Sequence, residues 1–381
     1  MFHTTSPRHG IVVNLGDACN ISCTYCFENK ENITLSSSGA IDVIIDEIIQ
    51  IANRLGKFSV SFYGGEPLMH FKDLKYFVEK INQNIVFPNK VNFGIATNGS
   101  LLRGEISEFL AIHEFDIQIS IDGASYVHDI HRNTHKGGSS SQHIRHIIGR
   151  VKDFSNISAR MTVSPETGKY FDESLSYIIG IGFCDANHRI KFDFTLNRTW
   201  TGVQIAECRS AFQRAAVMLS EHYSQGGQSF IEPLSRVLAN DRVASSVNGK
   251  GGYCGAGCSQ RYVSPNGDVY PCNRLSPSHD QDYSRLRLAS GTLISSNLDE
   301  SLVILHSGIN RKPECSTCLA FHFCDQTCPA RIRSSSGSFS LISETHCALT
   351  KITHSMGRQL NAICISKGTD LKKIYNKKLT K

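Results

Sequence analysis

From residue 11 to about residue 225, short runs of β-branched and aromatic residues alternate with longer amphipathic stretches. That is the pattern of strands and helices in a parallel α/β sheet or barrel. Ile11–Leu15, Phe58–Tyr63, Val91–Thr97, Ile117–Ile121, Ile157–Val163 and Ile190–Leu196 predict six strands. Between the first two, Ile41, Ile44, Ile45, Ile48, Ile49 and Ala52 recur at helical spacing within Ala40–Leu55, with Asp42, Asp46, Glu47 and Gln50 on the other face. The stripe predicts a helix with one side in the core. Lys72–Ile85, Gly104–His113, Gln142–Phe154, Phe171–Ile181 and Glu207–Ser224 predict the later helices. Six such units make a partial (β/α)6 barrel.

In parallel βα architectures the chemistry sits at the C-terminal ends of the strands. Four polar or glycine-rich clusters fall there: a cysteine loop after the first strand, Gly64-Gly65-Glu66-Pro67 after the second, Thr97-Asn98-Gly99 after the third and Ser120-Ile121-Asp122-Gly123 after the fourth. The cysteine loop carries Cys19, Cys23 and Cys26 at C-x3-C-x2-C, with Tyr25 before the last. A [4Fe–4S] cube needs four ligands, so a cube held here keeps one iron open, as a catalytic zinc keeps one position open. The same triplet suits a zinc knuckle completed by His3 or His9, or a set of packed thiols.

A chain of 381 residues predicts two domains, or one barrel with an appendage. With 40% apolar residues and a mean hydropathy of −0.19 it can bury a core. No apolar run approaches the roughly 20 residues of a membrane span, and the first ten residues lack the hydrophobic core of a secretory signal. A cytoplasmic location is expected, where the 14 cysteines stay reduced rather than paired. They group at 19–26, 254–272 and 315–347, and Cys184, Cys208 and Cys364 read as buried small apolar residues. The net charge of +6 is mild and much of it lies in the C-terminal lysines. No basic patch is interleaved with aromatics, which argues against nucleic acid. The histidines between 113 and 146, His128 and His131 among them, read as solvated because none pairs with a carboxylate in a zincin arrangement. The expected organisation is a barrel at 1–225, a glycine-rich linker at 226–253, a cysteine-rich module at 254–360 with an exposed serine loop at Ser334–Ser340, and a basic tail at 361–381.

C-x3-C-x2-C followed one βα unit later by Gly-Gly-Glu-Pro resembles the signature of the radical S-adenosylmethionine (SAM) enzymes. Downstream, Cys315-x2-Cys318-x5-Cys324-x3-Cys328 and then Cys347, preceded by Cys254, Cys258 and Cys272, resembles the SPASM domain of the peptide-modifying members. The resemblance spans residues 11–350. It implies a TIM-type partial barrel with a C-terminal SPASM domain, and SAM chelating the open iron of the cluster on Cys19, Cys23 and Cys26. One electron then releases a 5′-deoxyadenosyl radical that takes hydrogen from substrate. The resemblance puts the amino group of SAM at Gly64, Gly65, Glu66 and Pro67, and its ribose and carboxylate near Ser120 and Asp122. Arg132 is a planar fork for a carboxylate, the backbones of Phe27 and Leu196 meet adenine, and Tyr25 and Asn98 belong to the same pocket. By likeness to sulfatase maturases, Cys254, Cys258, Cys272 and Cys328 hold a first auxiliary cluster, and Cys315, Cys318, Cys324 and Cys347 a second, three [4Fe–4S] clusters in all. One position departs from those enzymes. The aspartate that follows their counterpart of Cys272 is Asn273 here, and an amide is no base. Asp193, Tyr63 and Tyr25 are the candidate replacements for acid–base or relay work.

The implied activity is oxidation of a peptide or protein side chain, with a carbon–carbon or thioether cross-link in a ribosomal peptide as the expected product. Formylglycine formation and epimerisation are alternatives. An iron–sulfur electron-transfer or redox-sensing protein is a reading of another class, and it leaves Gly64–Pro67 and Ser120–Gly123 without a role. The expected partners are a peptide or protein substrate and a low-potential donor of the flavodoxin or ferredoxin type. A separate leader-recognition protein is expected too, since residues 1–10 are too few for a recognition domain.

Overall fold

The computed structural model describes residues 9–28, 32–147, 151–154, 156–185, 188–238, 256–257, 259–278, 280–293, 312–321, 323–324, 328–339 and 341–379. The predicted alternation is present. β1 (Gly10–Asn14), α1 (Ile41–Leu55), β2 (Lys57–Tyr63), α2 (Phe71–Asn84), β3 (Lys90–Thr97), α3 (Glu105–Ile112), β4 (Asp116–Ser120), α4 (Ser125–His131), β5 (Ile157–Val163), α5 (Phe171–Gly180), β6 (Arg189–Phe194) and α6 (Gly202–Ser224) follow one another. The fold is α/β with a mostly parallel sheet. The chain divides into two compact units, residues 1–118 with 249–307 and residues 119–248 with 308–381.

In the first unit β1 lies between two parallel neighbours. β2 pairs along one side, from Gly10↔Ser59 to Asn14↔Tyr63, and β8 (Gln260–Val263) along the other, from Gly10↔Gln260 to Val13↔Val263. β3 continues the parallel ladder beyond β2. β9 (Asp268–Tyr270) and β10 (Ala289–Ser290) extend it antiparallel beyond β8. Along β2, Phe58, Val60 and Phe62 are buried while Ser59, Ser61 and Tyr63 face the other way, the two-residue alternation of a pleated strand. Phe62 meets Phe77 of α2 edge-on and stacks against Phe93 and Phe115. The predicted stripe of α1 buries Ile44, Ile45, Ile48 and Ala52, and the helix stops at Gly56, whose φ of 77° suits a left-handed cap.

In the second unit β5, β6 and β7 (Phe230–Ile231) are parallel neighbours. Their core is aromatic. Phe171 stacks on Phe212 of α6 with ring centroids 3.7 Å apart, and Phe192 meets both edge-on. α7 (Glu232–Leu238), α8 (Pro329–Ser336), α9 (Glu344–Ser366) and α10 (Leu371–Leu379) complete this unit.

Several expectations are corrected. α6 begins five residues early, because Thr201 and Gln204 form a capping box. The predicted helix Gln142–Phe154 is instead two 3₁₀ segments, Ser141–Ile147 and Val151–Asp153. There the Asp129 carboxylate accepts from the Ser140 and Ser141 amides, which fixes the turn. The first part of the predicted linker holds β7 and α7, whose Phe230, Ile231, Leu234 and Leu238 are buried. Residues 239–255 lie outside the described residues. Ser334, Ser335 and Ser336 are helical, their hydroxyls donating to the carbonyls of Ala330 and Ile332 at 2.8–3.0 Å. The basic tail is structured as well: α9 continues to Ser366 and α10 buries Leu371 and Tyr375, the latter bonded to Tyr223 at 2.9 Å. Cys208 and Cys364 are buried as expected, but Cys184 is exposed. His128 and His131 are buried rather than solvated. Among the described residues no helix is long and apolar enough to cross a membrane.

The Phe171–Phe212 stack gives the second unit its core, so Phe212→Ala is expected to cost about 3–5 kcal/mol, against about 1 kcal/mol for the exposed cap change Thr201→Ala. Denaturant unfolding of both variants checks the order, and a midpoint no lower for Phe212→Ala contradicts it.

Candidate active site

In the first unit the site is built on backbone. The Gly65 N–H donates to the Gly16 carbonyl at 3.1 Å and the Glu66 N–H to the Ala18 carbonyl at 2.8 Å, so the loop after β2 lies on the segment that leads into Cys19. Both glycines are forced by this approach. A Cβ at Gly64 would sit 2.3 Å from the Gly16 oxygen, and one at Gly65 would sit 2.4 Å from the oxygens of Asp17 and Ala18. Pro67 opens a short 3₁₀ turn for which Glu66 is the N-cap. The Glu66 carboxylate is fully buried. It accepts from Thr97 Oγ1 at 2.7 Å, the Asn98 amide at 2.7 Å and the Leu68 amide at 3.1 Å. Burial pushes its carboxyl up to about 7, and the donors from Asn98, Thr97 and Leu68 oppose that rise. Three of roughly four acceptor sites on the carboxylate are filled.

Asn98 extends the network to the cysteines. Its Nδ2 donates to Asn20 Oδ1 at 2.8 Å and lies 3.9 Å from Cys19 Sγ, while its Oδ1 accepts from the amide and hydroxyl of Ser100. Asn20 closes the ring by donating to Ser100 Oγ at 2.7 Å. The Cys26 amide bonds the Cys23 carbonyl at 3.1 Å, which turns the loop. Cys19 and Cys23 are half-buried and Cys26 is exposed, none of the three in a disulfide. Burial pushes the Cys19 thiol up to about 11, and negative charge at Glu66, Cys23 and Cys26 adds to the rise. Three thiols gathered on one turn, their mutual repulsion removable by a cation, fit a metal centre that deprotonates its ligands.

Beside this loop the structure places a group the sequence reading missed. Glu28, two residues past Cys26, has both carboxylate oxygens buried; burial pushes its carboxyl up to about 7, and the Tyr63 hydroxyl opposes that rise. Tyr63, at the end of β2, is raised well above the usual phenol range by burial, then by the charges of Glu28, Tyr262 and Cys26. Tyr262 of β8 accepts from Asn14 Nδ2 at 2.9 Å. A carboxylate in an otherwise aromatic stretch, Tyr25-Cys26-Phe27-Glu28, was the available signal. Tyr25 and Phe27 are half-buried on the same loop.

In the second unit Asp122 and Arg132 come together as a buried pair. Arg132 Nε donates to Asp122 Oδ2 at 2.8 Å and Nη2 to Oδ1 at 3.3 Å, and the Thr162 amide adds a third bond at 2.8 Å. Burial opposes the Asp122 charge, but Arg132 and the Thr162 amide outweigh it and hold the carboxyl below its usual range. His128 is pushed down to about 4 by burial. It is therefore neutral, with Nδ1 accepting from the Asp122 amide and Nε2 facing Ser140 Oγ at 3.1 Å. Arg132 is thus committed to Asp122, not to its sequence neighbour Asp129. Ser120 ends β4 half-buried, and Leu196 is buried just past β6.

Asp193 is engaged by Arg160 Nη2 at 3.0 Å and by Arg331. In the C-terminal segment of this unit Cys315, Cys318, Cys324 and Cys347 line one cavity, with Lys312 and Lys351 also in its wall. Four thiols facing one space suit a four-thiolate cluster. Among the described residues no three Cys, His, Asp or Glu side chains close on a point as around a single ion. Cys328 caps α8, and Cys272 in the first unit caps a short turn that begins at Asn273. Cys254 and Cys258 lie outside the described residues.

Comparison with known proteins follows the same residues. Residues 13–178 match the model of the radical SAM superfamily. An uncharacterised protein of Methanocaldococcus jannaschii is 27% identical over 174 residues, 45% of this chain and 59% of its own length. The radical SAM cyclopropyl synthase TigE of Paramaledivibacter caminithermalis is 26% identical over 179 residues, 42% of this chain and 36% of its own. The chain thus spans less than two thirds of either. A cysteine-type anaerobic sulfatase-maturating enzyme of Clostridium novyi is 23% identical over 340 residues, 81% of this chain and 84% of its own. Among solved structures, anSMEcpe with bound AdoMet shares the fold, with a TM-score of 0.74 at 18% identity over 98% of this chain and 97% of that one. The superfamily works with SAM and a [4Fe–4S] cluster, and the part of this chain that matches it, residues 13–178, holds the cysteine loop and the Gly64–Pro67 loop.

Proposed function

We propose that this enzyme is a radical SAM/SPASM oxidoreductase that oxidises a side chain of a ribosomal peptide or protein and leaves a carbon–carbon or thioether cross-link. The observation that carries the SAM assignment is Glu66, a fully buried carboxylate with one acceptor site to spare, held on the segment that leads into Cys19. Cys19, Cys23 and Cys26 would hold the cluster, and the spare site on Glu66 would accept from the ammonium of SAM. Bound there, SAM and a reduced cluster supply a 5′-deoxyadenosyl radical, the hard step that the cofactor and not the protein performs. The Asp122–Arg132 pair fixes the turn after β4, and by the family resemblance Ser120 and Asp122 would lie near the ribose and carboxylate. Tyr25, Phe27 and Asn98 of the first unit and Leu196 of the second are the remaining proposed cofactor contacts.

The cavity lined by Cys315, Cys318, Cys324 and Cys347 supports a second, fully ligated auxiliary cluster. Lys312 and Lys351 offset the negative charge of four thiolates. Cys254, Cys258, Cys272 and Cys328 would hold the other. Complete cysteine ligation leaves no iron open to substrate, so these clusters suit taking up the electron left after hydrogen abstraction. The substrate assignment draws on relatives: one anSMEcpe structure holds AdoMet together with a peptide. The enzyme would work in the reducing cytoplasm, with a flavodoxin or ferredoxin as donor and a separate protein to recognise the peptide leader.

Formylglycine formation is the second reading, favoured by the long alignment with the Clostridium novyi sulfatase-maturating enzyme. Asn273 weighs against it, because its amide supplies no base.

Anaerobic reconstitution should load about 12 irons per chain, and dithionite with SAM should then yield 5′-deoxyadenosine. Iron without that product overturns the enzymatic reading. Glu66→Gln keeps the volume and loses the charge, so SAM affinity by equilibrium dialysis should fall about 10- to 100-fold at unchanged iron, the range of a charge-assisted hydrogen bond. The reaction itself is read by mass spectrometry of a peptide encoded beside the enzyme and coexpressed with it. Loss of two hydrogens marks a cross-link, whereas loss of a cysteine sulfur with gain of a carbonyl marks formylglycine.

A further inference from the structure

We infer that Lys312 and Lys351 tune the cluster proposed for Cys315, Cys318, Cys324 and Cys347 toward accepting an electron, an inference that rests on the reading of those four cysteines as its ligands. All four lie in the second unit and line one cavity, and both lysines are in its wall. A cube gives each of its four cysteines a separate iron, so thiols spread around a space suit it where thiols closing on a point would suit a single ion.

The reduction potential of such a cluster follows the hydrogen bonds to its sulfurs and the charge around it. The amides of the ligands themselves are already committed. Cys315 donates to the Lys312 carbonyl at 3.0 Å, Cys318 to the Cys315 carbonyl at 3.3 Å, Cys324 to the Ala320 carbonyl at 2.8 Å and Cys347 to the Ser343 carbonyl at 3.1 Å. The amide before Cys347, that of His346, is taken by the Ser343 hydroxyl at 3.1 Å. Of the other side chains in the wall, Ala320 and Ile342 offer no donor and Thr350 one hydroxyl. The positive charge in the wall comes from the lysines. Lys351 follows Cys347 by four positions on α9, a spacing that puts both on one face. Lys312 is the N-cap of the 3₁₀ turn Pro313–Thr317 that carries Cys315. Both lysines are exposed, so their stems cover the cavity while the ammonium groups stay in water. Among the described residues neither ammonium has a hydrogen bond or an ion pair. Glu314 and Glu344, exposed acids on the same two segments, are not part of the wall. Reduction adds an electron to a cluster that its thiolates already make negative, and positive charge at its edge favours the reduced form. The electron left after hydrogen abstraction then has a defined recipient.

The test uses the full chain with Cys19, Cys23 and Cys26 changed to Ala, reconstituted anaerobically, so that the SAM-site cluster is silent. Cys347→Ala in that background identifies the signal: the electron paramagnetic resonance component and the roughly 4 irons that it removes belong to this cluster. Lys312→Gln, Lys351→Gln and the double variant are then taken through a redox titration of that component, beside Lys351→Arg. Lys169→Gln, at an exposed lysine of the same unit, is the control. At a fixed potential each single Gln variant should move the ratio of reduced to oxidised cluster about 3- to 10-fold toward oxidised, tenfold being about 59 mV for a one-electron couple. The double variant should move it further, and Lys351→Arg and Lys169→Gln should leave it in place. An unshifted component in the double variant, or Lys351→Arg shifting as far as Lys351→Gln, overturns the inference and leaves the cluster standing. Loss of the component from the Gln variants overturns it as well, because the lysines would then hold the cluster rather than tune it. If Cys347→Ala removes no iron, the reading of the four cysteines as ligands fails and the inference fails with it.

Discussion

Two backbone hydrogen bonds, Gly65 to Gly16 and Glu66 to Ala18, hold the loop after β2 against the chain that leads into Cys19. The rest of the first unit's site follows from them. Each is worth only about 1 kcal/mol net, but together they leave no room for a Cβ at Gly64 or Gly65 and they bury Glu66. A buried carboxylate is costly unless it is bonded, and the amides of Leu68 and Asn98 with the Thr97 hydroxyl meet that cost. Asn98 then passes the constraint to Asn20 and Cys19. The cysteine loop, the glycine loop and the loop after β3 thus form one network, which ties the orientation of the Glu66 carboxylate to the position of the Cys19 thiol.

The second unit solves the same problem with a different partner. Asp122 is buried and ionised because a guanidinium and a backbone amide surround it, and neutral His128 fills the remaining space without adding charge. Asp193 repeats the device with two arginines. In each case a carboxylate is fixed by donors that come from different elements, so the charge that is expensive to bury becomes the point at which those elements are registered.

The repeating architecture was legible in the sequence because strand and helix periods are local. Each predicted strand begins within one residue of its place, and the Gly64–Pro67 motif was legible because its glycines have no alternative. What escaped notice depends on contacts distant in sequence. Arg132 finds Asp122, ten positions away, rather than Asp129 beside it, since the turn around His128 carries the guanidinium inward. Asp193 looked like a candidate base because Arg331, 138 positions later, is invisible from the strand. Glu28 drew no attention because exposure is the ordinary fate of a glutamate. The serines of α8 read as a loop because their hydroxyl bonds to the preceding turn appear only once the helix exists. Cys315, Cys318, Cys324 and Cys347 were grouped by likeness to sulfatase maturases, and all four line one cavity.

β1 has a place in the sheet that bears on how the protein is made. Its partner on one side is β2, about 50 positions on, and on the other β8, about 250 positions on. During synthesis the first edge can close early, but the second waits for two thirds of the chain. Until then the strand that leads into Cys19 presents open amides and carbonyls to any passing strand, and loops of that length close slowly. The loop that carries Cys19, Cys23 and Cys26 therefore hangs from a strand whose second edge closes only once β8 has been made, so the order of chain growth leaves an interval in which that loop can be reached before the sheet is complete.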